Sequence, residues 1–184
     1  MKLRIIAGTL KGRLINIPER DAGFRPTLER TRQSVLEIIK GYLPGAIAAD
    51  VCCGSGAFGF EMISRGALRV DFFENDRRRA DLLFKNSSVL GISDQCRIIS
   101  GDIRTTVKRM TDFYDIIFYD PPYADIELAI LTSELLNRLS QDGFLVYERA
   151  ATKDSLKNAS NNQCCFDIRE FGDTAVEFYR LSEK

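Results

Sequence analysis

From residue 46 onward, short apolar runs alternate with stretches whose apolar positions recur at helical spacing. Ile47–Val51, Val70–Glu74, Arg97–Ser100, Asp115–Tyr119 and Phe144–Tyr147 read as strands. Phe58–Arg65, Asp76–Leu90, Ile103–Arg109 and Ile126–Leu139 read as the helices between them, with Gly54, Gly66, Gly91 and Gly143 at the boundaries. Short apolar runs alternating with helices suit parallel strands covered on both faces. At the C-terminus, Cys164–Phe171 and Ala175–Leu181 flank Gly172-Asp173 and read as a β-hairpin. The pattern therefore predicts an α/β, doubly wound, mostly parallel sheet with an antiparallel strand at or near one edge.

Residues 1–45 follow a different rhythm. Leu3–Ala7 and Arg13–Ile17 read as two short strands around a turn containing Gly8 and Gly12. Arg25-Pro26-Thr27 starts a helix with Thr27 as its N-cap. Val35, Leu36, Ile38, Ile39 and Leu43 supply the helix's apolar stripe, and Pro44-Gly45 closes it. The expected organisation is a small hairpin-and-helix extension (1–45) followed by a main domain (46–184).

Charge sharpens this division. The chain is neutral overall, yet residues 1–45 carry nine Lys/Arg against four Asp/Glu. A basic extension on a mildly acidic body suits contact with phosphates. Histidine is absent, which excludes Ser-His triads, Cys-His pairs and His-based metal sites. Five cysteines, two pairs of them adjacent in sequence, fit neither a disulfide framework nor a Cys-x-x-Cys zinc site, so no metal is expected. The apolar share is 45% and no apolar run approaches a membrane span or a signal peptide, so a cytoplasmic protein is expected.

Two motifs carry the chemistry. In Asp50-Val51-Cys52-Cys53-Gly54-Ser55-Gly56-Ala57-Phe58-Gly59, Gly54 and Gly56 allow a tight turn and let backbone approach a ligand. Glu74 ends the next strand, where a carboxylate can accept from both ribose hydroxyls of a nucleoside. The loops after these two strands are expected to meet at the switch point of the sheet. The spacing also fits a dinucleotide loop, but Asp50 stands four residues before Gly54, where it can pair with a cationic amine or order the loop. Pyrophosphate needs that helix end open. S-adenosylmethionine has no phosphate and carries an ammonium group. Asp102, after the third strand, can bond an adenine amino group.

Asp120-Pro121-Pro122-Tyr123 follows the fourth strand, at the same rim. Two prolines stiffen the turn and remove two N–H donors. An exocyclic amine is a poor nucleophile because its lone pair is delocalised into the ring. Donating its N–H groups to the Asp120 carboxylate and the Pro121 carbonyl would orient and pyramidalise the nitrogen. Tyr123 can stack on the base.

These residues resemble class I methyltransferases acting on exocyclic amines of nucleic acids. Arg4-Ile5-Ile6-Ala7-Gly8, Lys11-Gly12-Arg13, Arg25-Pro26-Thr27, Arg30 and Arg32 narrow the resemblance to RsmD-type small-subunit rRNA guanine-N2 methyltransferases. Ser64-Arg65-Gly66-Ala67 and Phe171-Gly172-Asp173-Thr174 extend it nearly end to end. The resemblance implies a seven-stranded Rossmann-like sheet and S-adenosyl-L-methionine as cofactor. Asp50, Gly54, Ser55, Gly56, Glu74, Asn75, Asp102 and Ile103 would hold that cofactor. Asp120, Pro121, Pro122 and Tyr123 would act on the guanine. Arg4, Lys11, Arg13, Arg25, Thr27, Arg30 and Arg32 would grip RNA. It further implies a partly assembled small ribosomal subunit as substrate, and a monomer is expected. The chain departs from the family at Cys52-Cys53, where Phe-Ala is usual, and at Leu36-Glu37, where Phe-Asn is usual.

Three other readings compete. A DNA adenine-N6 methyltransferase shares the Asp-Pro-Pro-Tyr logic, but no separate module is present to read a DNA sequence. An NAD-dependent oxidoreductase fits the glycine spacing but leaves Asp50 and Asp120–Tyr123 without a purpose. A non-catalytic RNA-binding or assembly factor would not need the acidic and Pro-Pro-Tyr positions intact.

Overall fold

The computed structural model describes residues 1–17, 29–122, 131–152 and 164–181. The apolar runs form one seven-stranded sheet. Its strands are β3 (Ile47–Val51), β4 (Arg69–Glu74), β5 (Cys96–Ser100), β6 (Tyr114–Tyr119), β7 (Leu139–Ala150), β8 (Cys165–Phe171) and β9 (Thr174–Arg180). The order across the sheet is β5-β4-β3-β6-β7-β9-β8. β5 through β7 run parallel; β9 pairs antiparallel with both β7 and β8. The C-terminal hairpin thus supplies an interior strand, β9, as well as the edge strand, β8.

The chain builds β3, β4 and β5 outward in one direction, then returns to lay β6 on the other side of β3. The switch point lies between β3 and β6, where the strand order reverses. This corrects the expectation that the β3 and β4 loops define it: the crevice opens between the glycine turn and the Asp120 loop.

Helices α2 (Ala57–Ser64) and α3 (Arg77–Leu90) cover one face of the sheet, and α1 (Glu29–Ile39) packs on α2. The other face is covered by α4 (Ile103–Thr106), a 3-10 turn at Val107–Arg109 and α5 (Thr132–Leu136). Asp76 caps α3 through its side chain, and Gly91 ends it at φ +76°. The expected helix over 126–139 is shorter at its C-terminal end, because Leu139 already pairs with Tyr114 and begins β7; residues 126–130 lie outside the described residues. Ile38, expected in the apolar stripe of α1, is 40% exposed. No described helix is long and apolar enough to cross a membrane.

The N-terminal extension shares its core with the sheet. β1 (Lys2–Arg4) and β2 (Leu14–Asn16) form an antiparallel pair. Ile5, Ile15, Ile17, Val35, Leu36, Ile39 and Leu43 bury into the same cluster as Phe58, Phe60 and Phe72. The hairpin turn touches the end of α2: a Cβ on Gly8 would lie 1.8 Å from the Ser64 carbonyl oxygen. There Thr9 N–H donates to that oxygen at 2.7 Å, and the Ser64 hydroxyl donates to the Ala7 carbonyl. Ile6 N–H donates to Glu61 Oε1 at 2.7 Å. Asn16 and the side chain of Asn86 on α3 exchange two hydrogen bonds. These bonds fix the hairpin on α2 and α3.

Candidate active site

At the end of β3 the chain makes a sharp turn with three residues at positive φ: Cys52 at 60°, Gly54 at 53° and Gly56 at 70°. A non-glycine residue in that region is strained, and such strain clusters at functional sites. Gly56 then opens α2. What requires glycine at positions 56 and 59 is packing beneath the turn. A Cβ on Gly56 would stand 2.3 Å from Leu83 Cδ2, and one on Gly59 would stand 2.3 Å from the Phe72 ring and 3.0 Å from Asp50 Oδ2. Gly59 thus lets the Asp50 carboxylate reach the helix backbone.

Two acids hold this turn. Asp50, 1% exposed, accepts from Gly59 N–H at 2.8 Å. Glu74, 3% exposed, accepts from Gly54 N–H at 2.8 Å and from Asp76 N–H at 2.9 Å, with Arg79 at 3.8 Å. Ser55 is buried and accepts from Ala57 N–H through its hydroxyl, while Asn75 is exposed beside Glu74. Asp102 caps α4, accepting from Arg104 N–H at 2.9 Å and pairing with its guanidinium at 3.1 Å; Ile103 is buried below it.

The fourth strand delivers Asp120 to the same place. Its N–H donates to the Val51 carbonyl at 3.3 Å. Asp120 lines one pocket with Asp50, Cys52, Cys53, Gly54, Ser55, Ala57, Phe58 and Phe118. The stacked rings of Phe58 and Phe118, centroids 3.6 Å apart, form its apolar wall. Pro121 is buried and Pro122 exposed, and Tyr123 lies outside the described residues.

The electrostatics around the glycine turn are dominated by acids. Burial pushes Asp50 well above the usual carboxylate range, and the charges of Asp120 and Glu74 push it further. Burial likewise lifts the Cys52 thiol far above its ordinary value, and Glu74, Asp120, Asp50 and Asp102 add to the effect. Cys53 moves the same way for the same reason. For both thiols, burial and the surrounding acids disfavour the thiolate. A turn in the field of four carboxylates suits a cationic ligand. S-adenosylmethionine, with its sulfonium and ammonium charges, fits; a pyrophosphate does not.

The basic residues assigned to RNA separate into two groups. Arg4, Lys11, Arg13 and Arg30 are exposed, with Arg4 donating to the Gly12 carbonyl and Arg13 to the Val89 carbonyl. Arg25 and Thr27 lie outside the described residues. Arg32 corrects the expectation: it is 2% exposed and forms part of the pocket wall, so it is not a surface phosphate contact. The signal was present in the spacing, since Arg32 stands three, four and seven residues before Val35, Leu36 and Ile39 on the buried stripe. Both departures from the family pattern now have places. Leu36 is in the core, Glu37 pairs on the surface with Arg65 and Lys40, and Cys52-Cys53 lines the pocket.

Comparisons with known proteins identify the family. Residues 3–180 match the model of a family described as Conserved hypothetical protein 95. The chain is 27% identical to Ribosomal RNA small subunit methyltransferase D of Escherichia coli, over 97% of this chain and 90% of that one. It is 30% identical to YlbH of Bacillus subtilis, over 79% of this chain and 82% of that one. Among solved structures, yhhF of Escherichia coli superposes with a TM-score of 0.82 at 26% identity, covering 97% of each chain. The chain belongs to the Conserved hypothetical protein 95 family, the RsmD-type S-adenosylmethionine-dependent methyltransferases.

Proposed function

We propose that the chain transfers a methyl group from S-adenosylmethionine to the exocyclic N2 amine of a guanine in small-subunit ribosomal RNA. The observation that carries this reading is the shared pocket: Asp120 stands with Asp50 and the glycine turn at the switch point of the sheet. The names of the relatives support RNA as the substrate class.

When bound, the cofactor supplies an electrophilic methyl group. The residues of the chain hold and orient. Asp50 and Glu74 fix the turn, and in this reading Glu74, Asn75, Asp102 and Ile103 take the nucleoside end. The Asp120 carboxylate and the Pro121 carbonyl accept the two N–H groups of the amine and direct its lone pair. Tyr123 stacks on the flipped base. No imidazole is needed, in keeping with a chain that has none.

The exposed Arg4, Lys11, Arg13 and Arg30, with Arg25 and Thr27, contact phosphates in this reading. The substrate is a partly assembled small subunit, met in the cytoplasm by a monomer. Methylation of purified particles, read by mass spectrometry of the rRNA, tests the whole proposal. Incorporation at an adenine of DNA and none in rRNA would reverse it.

A further inference from the structure

Arg32 is a charged residue of the pocket wall that the activity does not yet use. It is 2% exposed on α1, and burial lowers its pKa, with Glu61 and Glu29 opposing that effect. Its Nε has no hydrogen-bond partner, and no described carboxylate lies within ion-pair distance. Glu61 is already engaged: one oxygen accepts from Ile6 N–H, and the other lies 3.6 Å from Arg65. A cation taken out of water without a close partner is costly. It lines the same pocket as Asp50, Phe58, Phe118 and Asp120, beside the glycine turn.

The sheet topology decides which part of a ligand arrives there. Glu74 ends β4, on one side of β3, and is suited to ribose hydroxyls. The pocket lies between β3 and β6, on the opposite side. A cofactor whose nucleoside lies over β4 extends its amino-acid end toward β6. That end carries one ammonium and one carboxylate. The acids around the turn suit the ammonium, and among the described residues Arg32 is the only cationic side chain lining the pocket. We propose that Arg32 binds the amino-acid carboxylate of the cofactor with its planar fork, closing an ion pair the protein leaves open on its own. This assignment rests on the methyltransferase reading above.

The test is calorimetric binding of S-adenosylhomocysteine and of its decarboxylated counterpart to the full chain, alongside melting of the unliganded protein. Wild type should prefer the carboxylate-bearing compound by roughly ten- to a hundredfold. Arg32→Met should erase that preference while leaving affinity for the decarboxylated compound and the unliganded melting temperature nearly unchanged. Arg32→Lys, which keeps the charge and loses the fork, should retain part of the preference and stands in if the Met variant does not fold. A preference preserved in both variants overturns the proposal. So does an unchanged preference with lost methyl transfer to RNA, which would move Arg32 to the target base. If wild type binds neither compound, the methyltransferase reading fails with it.

Discussion

Asp50 and Asp71 sit on adjacent parallel strands and are equally removed from water, at 1% and 0% exposure, yet their company differs. Asp71 lies near the lower end of β4. It accepts from the Tyr114 hydroxyl at 2.9 Å and pairs with Arg69 at 3.0 Å and with Arg97, which Asp112 also engages. Burial raises its pKa, and these partners pull it part of the way back. Asp50 lies at the upper rim, where it accepts from the Gly59 backbone N–H. Two further acids face it and add to the effect of burial. A buried acid kept for the fold is neutralised on the spot. Asp50 is instead left among like charges, an arrangement that favours a cationic ligand.

The largest effect expected from probing this contrast is kinetic. Asp120→Ala should lower turnover by about a hundredfold or more while the affinity for S-adenosylhomocysteine stays within a few-fold. An undiminished rate would remove Asp120 from the chemistry. Next is the packing beneath the rim. Gly59→Ala places a methyl group against Phe72 and should cost about 3 kcal/mol in denaturant unfolding. An unaffected midpoint would show that the ring has room to move.

The two aspartates can then be compared directly by the same substitution. Asp71→Asn strips two arginines of their counter-charge and should destabilise by about 2 kcal/mol. Asp50→Asn keeps an oxygen for Gly59 N–H and relieves repulsion. The unliganded protein should melt at the same temperature or higher, and cofactor binding should weaken. Equal losses at both sites would show that the two aspartates do the same structural work.

The smallest effect is in pH dependence. Folding raises the pKa of Asp50 and of Glu74, so the native state holds more protons than the unfolded chain above the ordinary carboxylate value of about 4. Their contribution makes the unliganded protein lose stability as pH rises through that window. Melting curves taken from acid to neutral pH should show a shallower decline for Asp50→Asn than for wild type.

Much of this was legible in the residues. The run Ile47–Val51 and the later apolar stretches specified parallel strands because a strand covered on both faces has no solvent side to alternate with. Asp50, Gly54, Glu74 and Asp120 announced a rim because each follows a strand. Arg32 was harder to read, since a cation is counted among surface residues until the helix phase is followed through Val35 and Leu36. The reach of β7 to Leu139 was hidden as well. Its polar start, Ser140-Gln141-Asp142, carries no strand signal and is held by pairing with β6.

The order of apolar runs, glycines and acids along the chain determined by itself the class of fold and the kind of ligand, because periodicity and charge are local properties. Only the tertiary structure decided which loops share a crevice, which glycines answer to packing, and on which side of the protein Arg32 lies. Those outcomes depend on how separate segments are brought together, and the return of β6 beside β3 makes neighbours of residues 50 and 120 that no local pattern relates.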